Sequence, residues 1–257
     1  MTLLLVNTYV GIDDPDAQVY IAAVEAADEI ASPGVGALEI ATKVAIHSFV
    51  KGCKNDGIWP AIKASCILAS ARTLSGALVP LKGIAPTNFN FVAGDYNRKT
   101  GLVGNGSNKR LDSNRSTIAQ PASDFHLSVF QSTAQTTGSL IQDVSGGISG
   151  STYLLNGSTE FTIRGVFGNT NSPVTASGLV GASVSGPSFT HRSNQSNKTF
   201  SGAATAATGN LGIFSRQDAQ AFSNARLAFY SIGESLNLEL LDTRVTTLVN
   251  AFAAAIP

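Results

Sequence analysis

Charge is what this sequence has little of. Asp, Glu, Lys and Arg make up 13% of its 257 residues, against roughly a quarter in ordinary soluble domains. The two signs balance at 17 each, so the formal net charge is zero. The basic excess that would recruit nucleic acid or an anionic membrane by counterion release is missing. So is the like-charge repulsion that keeps molecules apart, which suits a protein of assemblies and homo-oligomers. Cysteine is scarce as well: Cys53 and Cys66 are the only two. Both lie in or near apolar segments, without C-x-x-C or histidine-paired spacing, so neither a disulfide framework nor a zinc site is expected. Buried thiols in a protein made in a reducing cytosol are the simplest reading.

Long hydrophobic runs are also absent. Met1–Val10 is apolar, but it lacks a positive n-region and an A-x-A site, and it is too short to span a bilayer. Membrane insertion is therefore not expected. Thr8, Tyr9 and Val10 favour extended chain, so the segment reads as a β-arm, with pairing in cis or in trans left open.

What is present changes character along the chain. Asp14 can cap a helix, Pro15 fits its first position, and Asp16 suits its positive end. Tyr20, Ile21, Val24, Ala27 and Ala31 then share one helical face, and Ser32-Pro33-Gly34 ends the run. A second helix is predicted from about Ala37 to Lys51, with Gly52 just past its end. Its stripe is Leu38, Ala41, Ala45 and Phe49, widened by Ile40 and Val44. Ile58-Trp59-Pro60 suggests a short helical turn, and Ile62 to Ser70 a buried strand.

From Asn88 onward short apolar or alternating runs are cut by Gly, Asn and Ser turns. Phe89–Val92, Phe125–Phe130, Ser151–Leu155, Glu160–Arg164 and Leu211–Phe214 are the clearest, and Asn156-Gly157 is a strong hairpin signal. Many short strands at this spacing argue a mainly β fold, an antiparallel β-sandwich or barrel. Val184 to Ala207 is poor in large apolar residues and reads as exposed loops and edge strands. A last strand, Ala225 to Ile232, leads through Gly233 into a helix from about Leu238 to Ala254, capped by Asn237. Two sections follow: 1–57, a β-arm and helical hairpin for attachment or packing, and 58–257, the sandwich with its terminal helix.

Two stretches carry a resemblance. One runs Thr87-Asn88-Phe89-Asn90-Phe91 and Gly94 to Leu102, then Gly104-Asn105-Gly106-Ser107. The other is Asn224 to Leu236 with the helix behind it. They resemble the two ends of a concanavalin A-like (laminin G-like) jelly roll found in virion structural proteins of tailed bacteriophages. The likeness covers roughly 60–257. It implies a lectin-type sandwich in a virion, made in the host bacterial cytoplasm, with other virion proteins, copies of itself and host-surface glycans as partners. It carries no glycan site over, and no cluster of acidic and Asn calcium ligands is seen.

Glycan hydrolysis on this fold needs two carboxylates on one strand face, one to donate a proton and one to attack or activate water. Asp95, Asp112, Asp124, Asp143, Glu160 and Asp218 are scattered, with none two residues from another. A non-enzyme is therefore expected. His47, His126 and His191 show no metal-ligand spacing. His47 reads as an interhelical contact more than a ligand, and His191 as a polar-loop residue, a conceivable receptor contact. Ser149 lacks the spacing of a nucleophile elbow. Gly101, Gly104 and Gly106 fit turns, not a phosphate loop. Tyr96 and Phe189 are candidates to stack on sugars, although residues of these types are more often core or turn packing. Arg98, Lys99, Lys109, Arg110 and Arg115 read as solvated loop charge. No catalytic, cofactor-binding or metal residue is assigned, no cofactor is expected, and the ligand-binding residues stay unknown. The functional expectation is a tail-fibre or baseplate-associated adhesin contacting host glycans. The alternative is a capsid decoration or cement protein stabilising the phage head.

Overall fold

The computed structural model describes residues 11–143, 153–154, 160–169 and 177–257. The arm Met1–Val10, Ser149 and the Asn156-Gly157 turn lie outside them. The helices are α1 (Pro15–Ala31), α2 (Ile40–Asn55), the short α3 (Leu74–Ala77) and α4 (Leu238–Ala255). The strands are, in chain order, β1 (Ile62–Ile67), β2 (Pro80–Lys82), β3 (Thr87–Phe89), β4 (Tyr96–Asn97), β5 (Gly101–Val103), β6 (Arg110–Ser116), β7 (Asp124–Thr133), β8 (Ile141–Gln142), β9 (Tyr153–Leu154), β10 (Glu160–Ile163), β11 (Val166–Asn169), β12 (Gly178–Ser185), β13 (Ser188–Ser193), β14 (Ser196–Ser201), β15 (Asn210–Ile213) and β16 (Arg226–Gly233).

Among the described residues the strands form two antiparallel sheets. The first runs β14-β13-β12-β7-β16-β1-β2, with β5 also paired to β16 and β4 to β5. The second runs β11-β10-β9-β8-β15-β6-β3. The sheets face each other across a core in which Phe125, Leu127, Val129, Tyr230 and Ile232 of the first meet Leu111, Ile141, Phe161 and Ile213 of the second. The other face of the first sheet is covered by helices. There Ile67, Phe130 and Phe229 pack with Phe49 and Val50 of α2 and Leu241, Val245 and Phe252 of α4.

This layering explains the central strands. β16 sends Phe229 to the helices, where its ring meets Phe49 edge-on at 5.7 Å, and Tyr230 to the inter-sheet core. A strand buried on both faces needs apolar residues at consecutive positions instead of alternating ones. Leu227-Ala228-Phe229-Tyr230 supplies them.

The helix signals of the sequence act as expected at α1 and α4. Asp14 Oδ1 accepts from the backbone N–H of Asp16 and Ala17 at 3.0 and 3.2 Å, with Pro15 beside it. Asn237 caps α4 in the same way. The 3₁₀ turn at Trp59–Ala61 is also present.

α2 differs. It begins at Ile40 and runs through Gly52 to Asn55, and it turns Ile46, Phe49, Val50 and Cys53 inward. Ile40 and Val44, expected on the buried stripe, are 67% and 41% exposed. Gly52 sits within the helix because α4 comes close there: a Cβ on it would stand 2.8 Å from the Arg244 guanidinium. β1 stops at Ile67, short of the expected Ser70, which has φ 72°. The boundary at residues 57 and 58 marks a change of secondary structure inside a shared core, since α2 packs on both α4 and the first sheet. No helix among the described residues is long and apolar enough to cross a membrane.

Candidate functional site

The helices cover one face of the first sheet, and the two sheets cover each other's inner faces. Among the described residues, the outer face of the second sheet is left. Register places its residues in rows. Gln142, Gly212, Asp112 and Thr87 lie side by side across β8, β15, β6 and β3. The next row, Ile141, Ile213 and Leu111, points into the core. Alternation therefore turns the first row outward. One further position along, Arg110 pairs with Phe89 on the same outer side. The Phe89 ring is 36% exposed, and the Arg110 guanidinium stands 3.8 Å from its centroid.

Asp112 organises this face. Its Oδ1 accepts from the Asn114 backbone N–H at 2.8 Å and from Asn210 Nδ2 at 3.2 Å, and its Oδ2 from Gln217 Nε2 at 2.5 Å. The register of β6 against β15 shifts here, with Asn114 at φ 52°, as expected of a bulge that re-aims side chains.

Gln217 belongs to a loop, residues 214–223, folded back over Gly212. A Cβ on Gly212 would come within 3.1 Å of Ser215 O, Gln217 N and Arg216 C. The loop is closed at its base by Ser223 N–H donating to Phe214 O at 2.7 Å, and tied down by Ser139 N–H to Ala221 O at 2.8 Å. Arg216 braces it from within, donating to both Asp218 oxygens at 2.7 Å and to Gln220 Oε1 at 2.5 Å. The Arg216 hydrogen bonds hold the Asp218 carboxyl below the usual carboxylate range. Phe214, Ala219 and Ala221 have φ of 68°, 61° and 50°. Left-handed non-glycine residues cost about 1–3 kcal/mol each, and such strain gathers at binding sites. Two polar atoms of this surface, Gln217 Oε1 and Arg110 Nη1, are buried without a hydrogen-bond partner among the described residues. The whole offers amide, carboxylate and guanidinium groups beside one exposed ring, which suits a hydroxyl-rich ligand.

Of the acids weighed from sequence, Asp112 holds the loop through Gln217 and Asp218 lies within that loop, paired with Arg216. Asp95 pairs with Lys109, Asp124 accepts from Ser235 N–H at 2.7 Å, and Asp143 is buried. The side chain of Glu160 lies outside the described residues. His47 contacts Asp13 at 2.7 Å. His126 is buried, with Nε2 at 2.8 Å from Ser231 Oγ and Nδ1 facing Glu234 O.

His191 corrects its expected place in a polar loop. It lies on β13, fully buried between Phe161 and Phe200 at 5.1 and 4.9 Å. Phe189 is likewise core, and Tyr96 donates its hydroxyl to Ala71 O at 2.9 Å. Arg98 is no loose loop charge: it forks onto both Glu39 oxygens at 3.0 and 2.7 Å. This pairing, with Arg72, helps hold the Glu39 carboxyl down at about 2 against its burial. Burial pushes both thiols up to about 12, which leaves them unreactive. No group of three His, Cys, Asp or Glu able to hold a metal ion occurs among the described residues.

No protein-family model matches the chain, and no curated protein matches it in sequence. Among solved structures it is similar to domain 4 of an extracellular GH43 arabinanase from Geobacillus stearothermophilus, in complex with arabinotriose. Identity there is 14% and the TM-score 0.41, over 65% of this chain and 82% of that one. A Trypanosoma rangeli sialidase mutant displaying trans-sialidase activity gives 12% and 0.44, over 79% of this chain but 39% of the sialidase. A Shewanella oneidensis protein of unknown function gives 12% and 0.35, over 59% and 78%. The chain thus spans about two fifths of the sialidase's length.

With TM-scores of 0.44 or less, no activity or ligand passes from these proteins to this one, and the phage likeness gains no support from them. One expectation is corrected by them. The chain was expected not to be an enzyme, yet the similar structures include glycoside hydrolases, so the non-enzyme reading is withdrawn.

Proposed function

We propose that the chain is a glycan-facing adhesive module of a tailed-phage virion, carried on a tail fibre or baseplate and built as a concanavalin A-like jelly roll. The phage setting rests on the stretches Thr87 to Ser107 and Asn224 to Leu236. The observation that carries the glycan reading is the outer face of the second sheet. There Asp112 gathers the donors of Asn114, Asn210 and Gln217 next to the exposed Phe89 ring. Sugars present hydroxyls edge-on and apolar C–H faces flat, so they are met by planar polar groups beside an aromatic ring.

The test is a glycan array read for binding, with released reducing ends measured in the same samples. Binding is expected, weakened up to about tenfold by Phe89→Ala and also by Gln217→Ala. A protein that binds no glycan, or binds equally well with both substitutions, sinks the reading. Immunogold labelling of virions should mark the tail. Heads labelled all over would favour the decoration role instead.

A further inference from the structure

Both sheets end on one side of the sandwich. β14 ends the strand order of the first sheet and β11 that of the second, so no strand among the described residues pairs with their outer edges. The two ends lie over each other: a Cβ on Gly168 of β11 would stand 2.6 Å from both the His191 and the Phe200 ring. Phe167, beside it, is 42% exposed. The opposite end of the first sheet, β2, is three residues long, starts on Pro80 and pairs with β1 through a register shift. Those features blunt an edge against pairing with another chain. β14 has none of them. It is six residues long, pairs with β13 in unbroken register, lacks proline and carries one charge, Lys198. Its residues Ser196, Asn197, Thr199 and Ser201 are exposed.

We propose that β14 is a homodimer interface, pairing antiparallel with β14 of a second copy about a two-fold axis at Thr199. The hairpin decides which backbone groups are free. Asn194 and Gln195, at φ 50° and 59°, form its two-residue turn, so Ser193 and Ser196 close it as a hydrogen-bonded pair. Hydrogen-bonded pairs then alternate along the ladder. Gly202 N–H, donating to Pro187 O at 3.1 Å, continues the series. The N–H and C=O groups of Asn197, Thr199 and Ser201 therefore point to the open edge. A two-fold axis normal to the sheet keeps every side chain on its own side. It sets Thr199 opposite itself, and Asn197 opposite Ser201 of the second copy, so all these groups find partners. Threonine pairs well with threonine across strands. Lys198 comes opposite Phe200 of the second copy, and its ammonium already stands 5.5 Å from its own Phe200 ring. Centred on Lys198 instead, the pairing would oppose two like charges. Zero net charge adds no repulsion between copies. Asp112 and Phe89 lie on β6 and β3, at the far end of the second sheet, so the interface leaves them free. The axis also turns the outer faces of both second sheets the same way. If these faces bind glycans, the dimer meets a glycan surface with two sites at once; the interface itself does not rest on that reading.

Sedimentation equilibrium of the full-length protein should show monomers in exchange with dimers. Thr199→Pro removes the N–H at the axis from both copies, and that N–H plays no part in the β13–β14 hairpin. The dimer should weaken at least about tenfold, with far-UV circular dichroism unchanged. Thr199→Lys sets two lysines face to face, should weaken the dimer likewise, and serves if proline disturbs the hairpin. Thr199→Cys should oxidise to a disulfide-linked dimer, since opposed residues of a hydrogen-bonded pair have Cα atoms about 5.5 Å apart. Native Cys53 and Cys66 are buried and stay out of the reaction. A wild type that is monomeric at the highest attainable concentration would overturn the proposal. So would a dimer as tight as the wild type's in either variant with unchanged circular dichroism. Faster cross-linking of Lys198→Cys than of Thr199→Cys would overturn the register, and the proposal with it.

Discussion

Asp28 of α1 occupies the space that a side chain on Gly76 would need: a Cβ there would stand 2.2 Å from Asp28 Oδ1. The carboxylate is fully buried and accepts from Arg72 N–H, Thr73 N–H and the Thr73 hydroxyl at 2.7–2.8 Å. It has no room to retreat. Gly76→Ala is therefore expected to cost ~2–4 kcal/mol, through overpacking and the loss of buried hydrogen bonds. Gly52→Ala meets the flexible end of Arg244 instead. Its helix-propensity gain of about 1 kcal/mol roughly offsets the partly exposed Arg244–Asp56 pair it disturbs. Urea midpoints of the two variants should differ clearly, and equal midpoints would refute the distinction.

Arg192 and Asp242 join β13 to α4 through a buried pair, Nε to Oδ2 at 2.7 Å, with side chains 7% and 4% exposed. Asn197 and Thr246 complete their hydrogen bonds. Removing one partner strands a buried charge, so Asp242→Leu should cost ~3–5 kcal/mol. Adding Arg192→Met should restore most of it. Chemical denaturation of the two variants checks this; a double variant no more stable than the single one contradicts it.

How far the sequence disclosed this molecule depends on how local the signal was. Asp14-Pro15-Asp16 and Asn237 act through neighbours two and three residues away, so α1 and α4 could be read directly. Gly52 looked like a stop because only α4, nearly two hundred residues later, explains why it sits inside a helix. Arg164, 1% exposed with its guanidinium 4.0 Å from the Phe125 ring centroid, could not be foreseen, since sequence alone marks arginine as surface. At the candidate site Asp112 was visible only as one scattered acid. Its meeting with Asn210 and Gln217 depends on the β6–β15 register, which no spacing encodes. The repeated left-handed residues from Phe214 to Ala221 leave no compositional mark, because none is glycine.

Acid should loosen the fold before its carboxylates are neutralised. Burial lowers the pKa of both His126 and His191 to about 4, and the Lys198 charge adds to the effect at His191. The unfolded chain, with imidazoles near 6.5, binds more protons between those values. Stability is then complete above about pH 6.5 and falls as the pH drops toward 4, by on the order of 3 kcal/mol for each histidine. Asp13 and Glu39, both held at about 2, add a loss only at lower pH, as they protonate below their ordinary range. His191→Leu should remove about half of the slope between pH 6.5 and 4. An unchanged slope in urea midpoints would show that His191 is not protonated on unfolding.

The loop over Gly212 separates local order from global stability. Arg216 holds it through a partly exposed fork onto Asp218, and such pairs are worth about 0–1 kcal/mol to the whole fold. Arg216→Ala should thus leave the urea midpoint nearly unchanged. Amide exchange at residues 215–221 should rise, because the Arg216 side chain is what joins Asp218 and Gln220 across the loop. Ala219→Gly acts in the opposite sense. It relieves a left-handed alanine, worth about 1–2 kcal/mol, less the extra freedom that glycine has in the unfolded chain, about 0.4–1 kcal/mol. A net gain of roughly 0.5–1 kcal/mol is expected. If the strain serves to present Gln217, the same variant binds glycans less well while folding better. A variant that gains stability and loses no binding would show that the strained backbone belongs to the loop's closure alone.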